Sequence, residues 1–230
     1  EGDSAAASAA HWRAHEKVVG AADEHDGIVP VAMMVHAPGM LHLSSEINSL
    51  DDVAGLKIRS GGGVMGDVLA GLDMAGVQVS APKVYETVAN GVADGTFFPG
   101  DTIAILRLTE VLPYTYRVPG GFYRGSFSIV MSEEFLDDVG EDDAAAIKAA
   151  LGEDFSAFAG QAWDEGNARG LEAQASTGQV IDLEGEAAAK FDALVPGIQS
   201  AVLEEVNAAG VDANAALEII RSTMAEYDAQ

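Results

Sequence analysis

The chain has 230 residues, 37 acidic against 12 basic, a formal net charge of −25 and 48% hydrophobic residues, with no cysteine. Such acidity argues against nucleic acid and anionic membrane surfaces, both of which attract clustered Lys and Arg. The missing cysteine removes a disulfide framework, a thiol nucleophile and a cysteine zinc site.

An alanine-rich stretch marked by Trp12, Val18 and Val19 predicts a helix over 5–22, followed by a turn over 23–27. The apolar run 28–35 reads as a strand buried on both faces, as in a parallel sheet, with Pro30 as its weak point. Residues 37–49 read as loop and 51–54 as a short helical turn. A strand over 56–60, a helix over 64–75 and a strand over 77–80 follow. Pro82 precedes a helix over 84–91, 95–98 is a short strand, and Asp101 stands as the cap of a helix over 102–112. β-Branched and aromatic residues predict strands over 114–118 and 126–131. Ile147, Leu151, Phe155 and Phe158 recur at helical spacing within 141–176, a stretch interrupted by glycines. A strand over 179–183 and helices over 186–209 and 213–227 close the chain, with Gly210 as the stop between the helices. Strands alternating with helices predict an α/β fold with a largely parallel sheet, in which ligands sit at the carboxyl ends of strands.

Arg59 lies at one of those ends, and Gly61, Gly62 and Gly63 lead from it into a helix. A guanidinium beside the positive end of a helix suits an anion, most naturally a carboxylate held by two parallel hydrogen bonds. The alternative is a structural arginine paired to Asp67 or Asp94. Gly61-x-Gly63-x-x-Gly66 also matches the dinucleotide fingerprint, so a nucleotide-dependent enzyme is the competing reading. The acidic residue expected at the end of the next strand is absent there, where the sequence runs Val79-Ser80-Ala81-Pro82-Lys83. Asp94-Gly95 is a turn signal, and strand alternation sends Phe97 and Phe98 to opposite faces. Arg117 and Arg124 flank Pro119-Gly120-Gly121, with Arg124 the better ligand candidate. His11 and His15 are four apart on a helix but lack a third ligand, and no nucleophile elbow is present. No apolar run approaches the length of a membrane span. The acidity itself reads either as solubility or as adaptation to a saline medium.

Leu50-Asp51-Asp52-Val53-Ala54-Gly55-Leu56-Lys57-Ile58-Arg59 resembles a segment of the solute-binding proteins of tripartite ATP-independent periplasmic (TRAP) transporters, DctP type. Val84-Tyr85-Glu86-Thr87-Val88-Ala89-Asn90-Gly91-Val92-Ala93-Asp94-Gly95 is similar to a second segment of that family, and Phe127-Ser128-Ile129-Val130-Met131-Ser132 to its returning strand. The resemblance is specific over 50–135, colinear from there to Gln230, and weaker before residue 50. It implies a periplasmic-binding-protein-like α/β fold of two lobes joined by hinge strands and closing on an organic anion. Residues 1–36 and 125–192 would form the remainder of lobe I, and 37–124 and 193–230 lobe II. Because family members are longer at the N-terminus, and the chain starts Glu1-Gly2-Asp3 rather than with Met, part of lobe I is expected to be missing. The resemblance makes Arg59 the carboxylate-binding residue. The expected substrate-binding set is Arg59, Ser60, Gly61, Thr96, Phe97, Phe98, Tyr123 and Arg124. The implied partners are a small organic acid and the TRAP membrane permease, outside the cytoplasm. No catalytic residue, metal or cofactor is expected, no nucleic acid and no direct membrane insertion.

Overall fold

A computed structural model describes residues 3–22 and 25–229, so Asp23 and Glu24 of the expected turn lie outside the described residues. In chain order the elements are α1 (Ser4–Lys17), β1 (Ile28–Val35), β2 (Met40–Leu43), β3 (Lys57–Ser60), α2 (Val64–Gly71) and β4 (Ala75–Gln78). There follow α3 (Val84–Ala89), β5 (Gly95–Phe98), α4 (Gly100–Ile105), β6 (Tyr114–Arg117) and β7 (Ser126–Ser132). The last are α5 (Glu133–Asp138), α6 (Glu141–Ala150), α7 (Gly152–Thr177), β8 (Gln179–Asp182), α8 (Ala189–Ala208) and α9 (Ala213–Asp228). The chain divides into two units, one of Pro38–Arg124 with Glu165–Val202, the other of Gly2–Ala37, Gly125–Asp164 and Leu203–Gln230.

The second of these units is built on an antiparallel ribbon of β1 and β7. The expectation of a parallel, two-sided strand at 28–35 is therefore corrected. The run is apolar because helices cover it, with Val31, Ala32, Met33 and Val35 buried. The ladder shifts register between Pro30 and Ala32, where a residue without an N–H is tolerated. On the edge of β1 away from β7, the Met33 N–H donates to Ser156 Oγ (3.0 Å) and the Val35 N–H to Ser8 Oγ (2.8 Å). Both serines are fully buried, so α1 and α7 satisfy backbone donors that a third strand would otherwise take. Arg13 of α1 clasps Glu153 of α7 through Nε (2.6 Å) and Nη2 (2.7 Å), and reaches Glu226 of α9 through Nη1.

The first unit carries a six-stranded sheet in the order β4-β3-β5-β2-β6-β8. The pairs β4–β3, β3–β5 and β6–β8 are parallel, and β2 runs antiparallel to both its neighbours. The sheet is thus mixed rather than simply parallel. β2 overturns the expected loop over 37–49: Met40-Leu41-His42-Leu43 is fully buried and central. Four residues with a histidine among them, following Pro38-Gly39, carry too little pattern to show a strand. One core fills one face of the sheet with Leu41, Leu43, Ile58, Phe97, Tyr116, Phe122 and Phe191 among its members. A second gathers Val84, Val88, Phe98, Ile103, Leu108 and Leu112.

Three further expectations change. The helix over 102–112 is α4, a left-handed Arg107 (φ 57°) and a single turn at Leu108–Glu110, and Pro99 rather than Asp101 is the N-cap. The stretch 141–176 breaks at Leu151 into α6 and α7, with Gly152 (φ 71°) at the joint. Residues 165–202 lie with 38–124, and 203–230 with 2–37, which differs from the expected division at 125–192 and 193–230. The reason is local packing: Asn167 Oδ1 accepts from the Gly100 N–H (2.8 Å), Gln174 Nε2 donates to Leu112 O (2.9 Å), and Phe191 enters the core of the six-stranded unit.

Candidate functional site

The parallel strands β3 and β5 end side by side, pairing Arg59 with Thr96. Side chains two apart on a strand share a face, so Arg59, Thr96 and Phe98 point the same way and Phe97 the other. Phe97 is accordingly sealed in the core, tilted against Phe122 with ring centroids 5.2 Å apart. Phe98 instead lies beneath Arg59, whose Cζ is 4.7 Å from the ring centroid. A guanidinium over an aromatic face is attracted by its quadrupole.

Arg59 is only 5% exposed. Its Nε–H donates to Val79 O (2.9 Å), just beyond β4. Among the described residues it forms no ion pair with any carboxylate. The alternative pairing to Asp94 is occupied otherwise, since Asp94 Oδ2 accepts from the Lys57 N–H (2.8 Å). Burial pushes the Arg59 pKa down, and nearby Tyr123 offsets part of that. A buried guanidinium keeps its proton regardless. With Nε–H used and one face on Phe98, the donors left are those of Nη1 and Nη2, directed end-on. Gly61 keeps that approach open, because a Cβ there would stand 3.6 Å from Nη2.

Tyr123 reaches the same end of the sheet through the start of β2. The Gly39 N–H donates to Tyr123 O (2.9 Å) and the Phe122 N–H to Gly39 O (2.9 Å). The Tyr123 ring lies so close across Gly39 that a Cβ would fall 2.1 Å from it. Burial raises the Tyr123 pKa to about 12, with Arg59 pulling it down and Asp101 pushing it up. The phenol therefore stays protonated and able to donate. Asp101, in the first turn of α4, has its own pKa raised by burial.

The other expected residues fall as follows. Ser60 is buried at the end of β3, and its Oγ accepts weakly from the Gly62 N–H (3.4 Å). Thr96 is fully buried and supports the strands rather than presenting its hydroxyl. Arg124, half-buried, follows Tyr123 as the last residue of its segment. Arg117 spends its fork on Asp182 (2.7 and 2.8 Å). Among the described residues no group of three or more metal-ligating side chains forms. The glycine fingerprint lacks its packing role, since a Cβ at Gly66 would meet nothing within 4 Å.

His42 lies outside the expected set of site residues. It is fully buried in β2, with Nδ1 2.9 Å from Thr115 Oγ1 and Nε2 3.0 Å from Phe98 O. A carbonyl only accepts, so Nε2 carries the proton and Nδ1 accepts from the threonine hydroxyl. Burial lowers the His42 pKa from 6.5 to about 4. The unfolded chain takes up this proton near pH 6.5 and the folded protein near 4. Stability from this group is therefore complete above pH 6.5 and is lost as pH falls toward 4, by about 3 kcal/mol in all. Denaturation midpoints of wild type and His42→Gln between pH 7 and 4.5 should show the wild type losing ground to the variant on acidification. The only sequence signal for His42 is a histidine inside an apolar run, which does not reveal its partners.

Residues 3–207 match the profile of DctP, described as bacterial extracellular solute-binding protein, family 7. A curated relative, the outer membrane transporter protein TsaT of Comamonas testosteroni, is 24% identical over 221 residues. The match covers 95% of this chain and spans 65% of the relative's length. A TRAP periplasmic solute binding protein of Bordetella bronchiseptica, solved with bound (R)-mandelate and (S)-mandelate, superposes with a TM-score of 0.92 at 26% identity, covering 98% of this chain and 72% of that one. A marine metagenome TRAP solute binding protein specific for aromatic acid ligands, solved with metahydroxyphenylacetate, gives 0.89 at 24% identity, covering 99% and 72%.

Proposed function

The chain belongs to bacterial extracellular solute-binding protein family 7, the DctP type of TRAP solute-binding proteins, and we propose that it captures a small organic acid through a carboxylate pair with Arg59. The observation that carries this reading is a buried, sequestered arginine whose charge meets no carboxylate among the described residues. A folded protein keeps such a group where a ligand supplies the missing anion. Nη1 and Nη2 take the two carboxylate oxygens end-on, and the protonated Tyr123 phenol adds a neutral donor. Gly61 leaves room, and the N–H groups at the start of α2 face the same end of the strands.

Met65, whose Cε lies 3.3 Å from the Gly61 Cβ position beside Nη2, joins Phe98 and Tyr123 in giving the guanidinium apolar surroundings, which favours an acid with an aromatic or other apolar remainder. The mandelate bound by the B. bronchiseptica protein belongs to that class. Release to a TRAP permease outside the cytoplasm is the step that follows in this reading. Among the described residues no helix is long and apolar enough to cross a membrane.

Thermal melting with mandelate and with mandelamide, its uncharged amide, tests the proposal. Mandelate at a hundred times its Kd should stabilise the fold by about 2.7 kcal/mol, and mandelamide hardly at all. Equal shifts from acid and amide, or none from any aromatic or aliphatic carboxylate, would remove the carboxylate reading.

A further inference from the structure

We propose that His42, which touches no ligand in this reading, is a positioning residue for the anion site, holding the Phe98 shelf on which Arg59 rests. The inference builds on the assignment of Arg59 as the carboxylate-binding group. Register brings the parts into one row across the sheet: Arg59 pairs with Thr96, Thr96 with His42, and His42 with Thr115. The row is polar in a sheet whose opposite face is an apolar core. Each member has 5% exposure or less.

The chain of contacts has one direction. The Thr115 hydroxyl donates to Nδ1, which leaves the Nε2 proton for Phe98 O at 3.0 Å. Phe98 is the last residue of β5 and is followed by Pro99, the N-cap of α4. Its carbonyl sits where the strand, paired here with Met40 of β2, ends and the chain turns into a helix. Fixing that carbonyl fixes the direction of the Phe98 side chain. The ring then supports the guanidinium, whose Cζ lies 4.7 Å from its centroid, and the Arg59 Nε–H bond to Val79 O holds the other side. An apolar residue at 42 would leave Phe98 O without its donor. The histidine is thus explained by what it orients, and packing alone does not require it.

Two readouts test this. In nitrogen-15 NMR of the ligand-free protein, the Arg59 Nε–H signal should be shifted by the Phe98 ring current. His42→Leu should move that signal, and His42→Gln, which keeps a donor toward Phe98 O, should restore it. Thr115→Val, which removes the hydroxyl that sets the tautomer, should move it in the same sense and serves if His42→Leu does not fold. An Arg59 signal unmoved in the variants that fold would overturn the proposal. Mandelate affinity should fall about 10-fold in His42→Leu and stay within about twofold in His42→Gln. The loss should vanish when Phe98 is already alanine, because the effect runs through that ring. A loss of equal size in the Phe98→Ala background would also sink it, leaving His42 a general core residue. If the wild type bound no carboxylate, the Arg59 assignment would fall, while the NMR comparison would still decide the role of His42.

Discussion

Arg59→Met should fold about as stably as the wild type without ligand and lose its affinity for carboxylates. The guanidinium is buried with no counter-charge among the described residues, a state whose effective desolvation penalty is several kcal/mol. Its returns are one charged hydrogen bond to Val79 O, worth about 1.5–3 kcal/mol, and one buried aromatic contact, worth about 1–2 kcal/mol. Methionine has similar reach, carries no charge, and makes favourable sulfur contacts with a ring such as Phe98. With Val79 O left unpaired, the relieved desolvation penalty and the lost contacts roughly cancel, and a net change within about 1 kcal/mol is expected for the empty protein. Binding should weaken by about 2–5 kcal/mol, roughly thirtyfold to several thousandfold in Kd. Calorimetric titration and thermal melting on the same sample read both effects. A variant that melts lower and still binds would mean that Arg59 serves the fold and not the ligand.

Gly95→Ala should be among the most damaging single-methyl additions in the six-stranded unit. Gly95 opens β5 and pairs with Ile58 on one side and Leu43 on the other. A Cβ there would fall 2.2 Å from His42 O and 2.7 Å from Leu43 Cδ2. The first is backbone in a fully buried strand, so β2 and β5 must separate to admit it. Overpacking of this kind costs about 3 kcal/mol or more, or a fall in melting temperature of about 6–12 °C for a chain of this size. Gly66→Ala is the control, since nothing lies within 4 Å of its Cβ position. Removing a helical glycine there should stabilise by about 0.5–1 kcal/mol. Equal effects at the two positions would mean that the close approach of β2 to β5 does not exist.

Gly95 also shows what the amino-acid order conveys and what it conceals. Asp94-Gly95 reads as a turn, yet the glycine serves a backbone contact and the aspartate accepts from the Lys57 N–H. The place of Arg59, at a strand end before a helix, was legible because its signal is local: a short strand, an arginine and three glycines. The opposite facing of Phe97 and Phe98 was legible for the same reason, since alternation is a property of one strand. β2 was not, being four residues long and defined by partners about fifty and seventy positions away. The same holds for the edge of β1, where the donors of Met33 and Val35 are met by Ser156 and Ser8, 123 and 27 residues distant. His42 combines both difficulties, because its meaning depends on the register of a strand that the pattern does not show. The membership of α7 and α8 was equally hidden, as helical periodicity marks a buried stripe but not the sheet it packs against.

Crystals grown with mandelate would show whether Arg59 grips a carboxylate. Both carboxylate oxygens should lie about 2.8 Å from Nη1 and Nη2 of Arg59, with the guanidinium still resting on Phe98 and its Nε–H still bound to Val79 O. Mandelate seated elsewhere, with Arg59 touching no ligand oxygen, would contradict that grip.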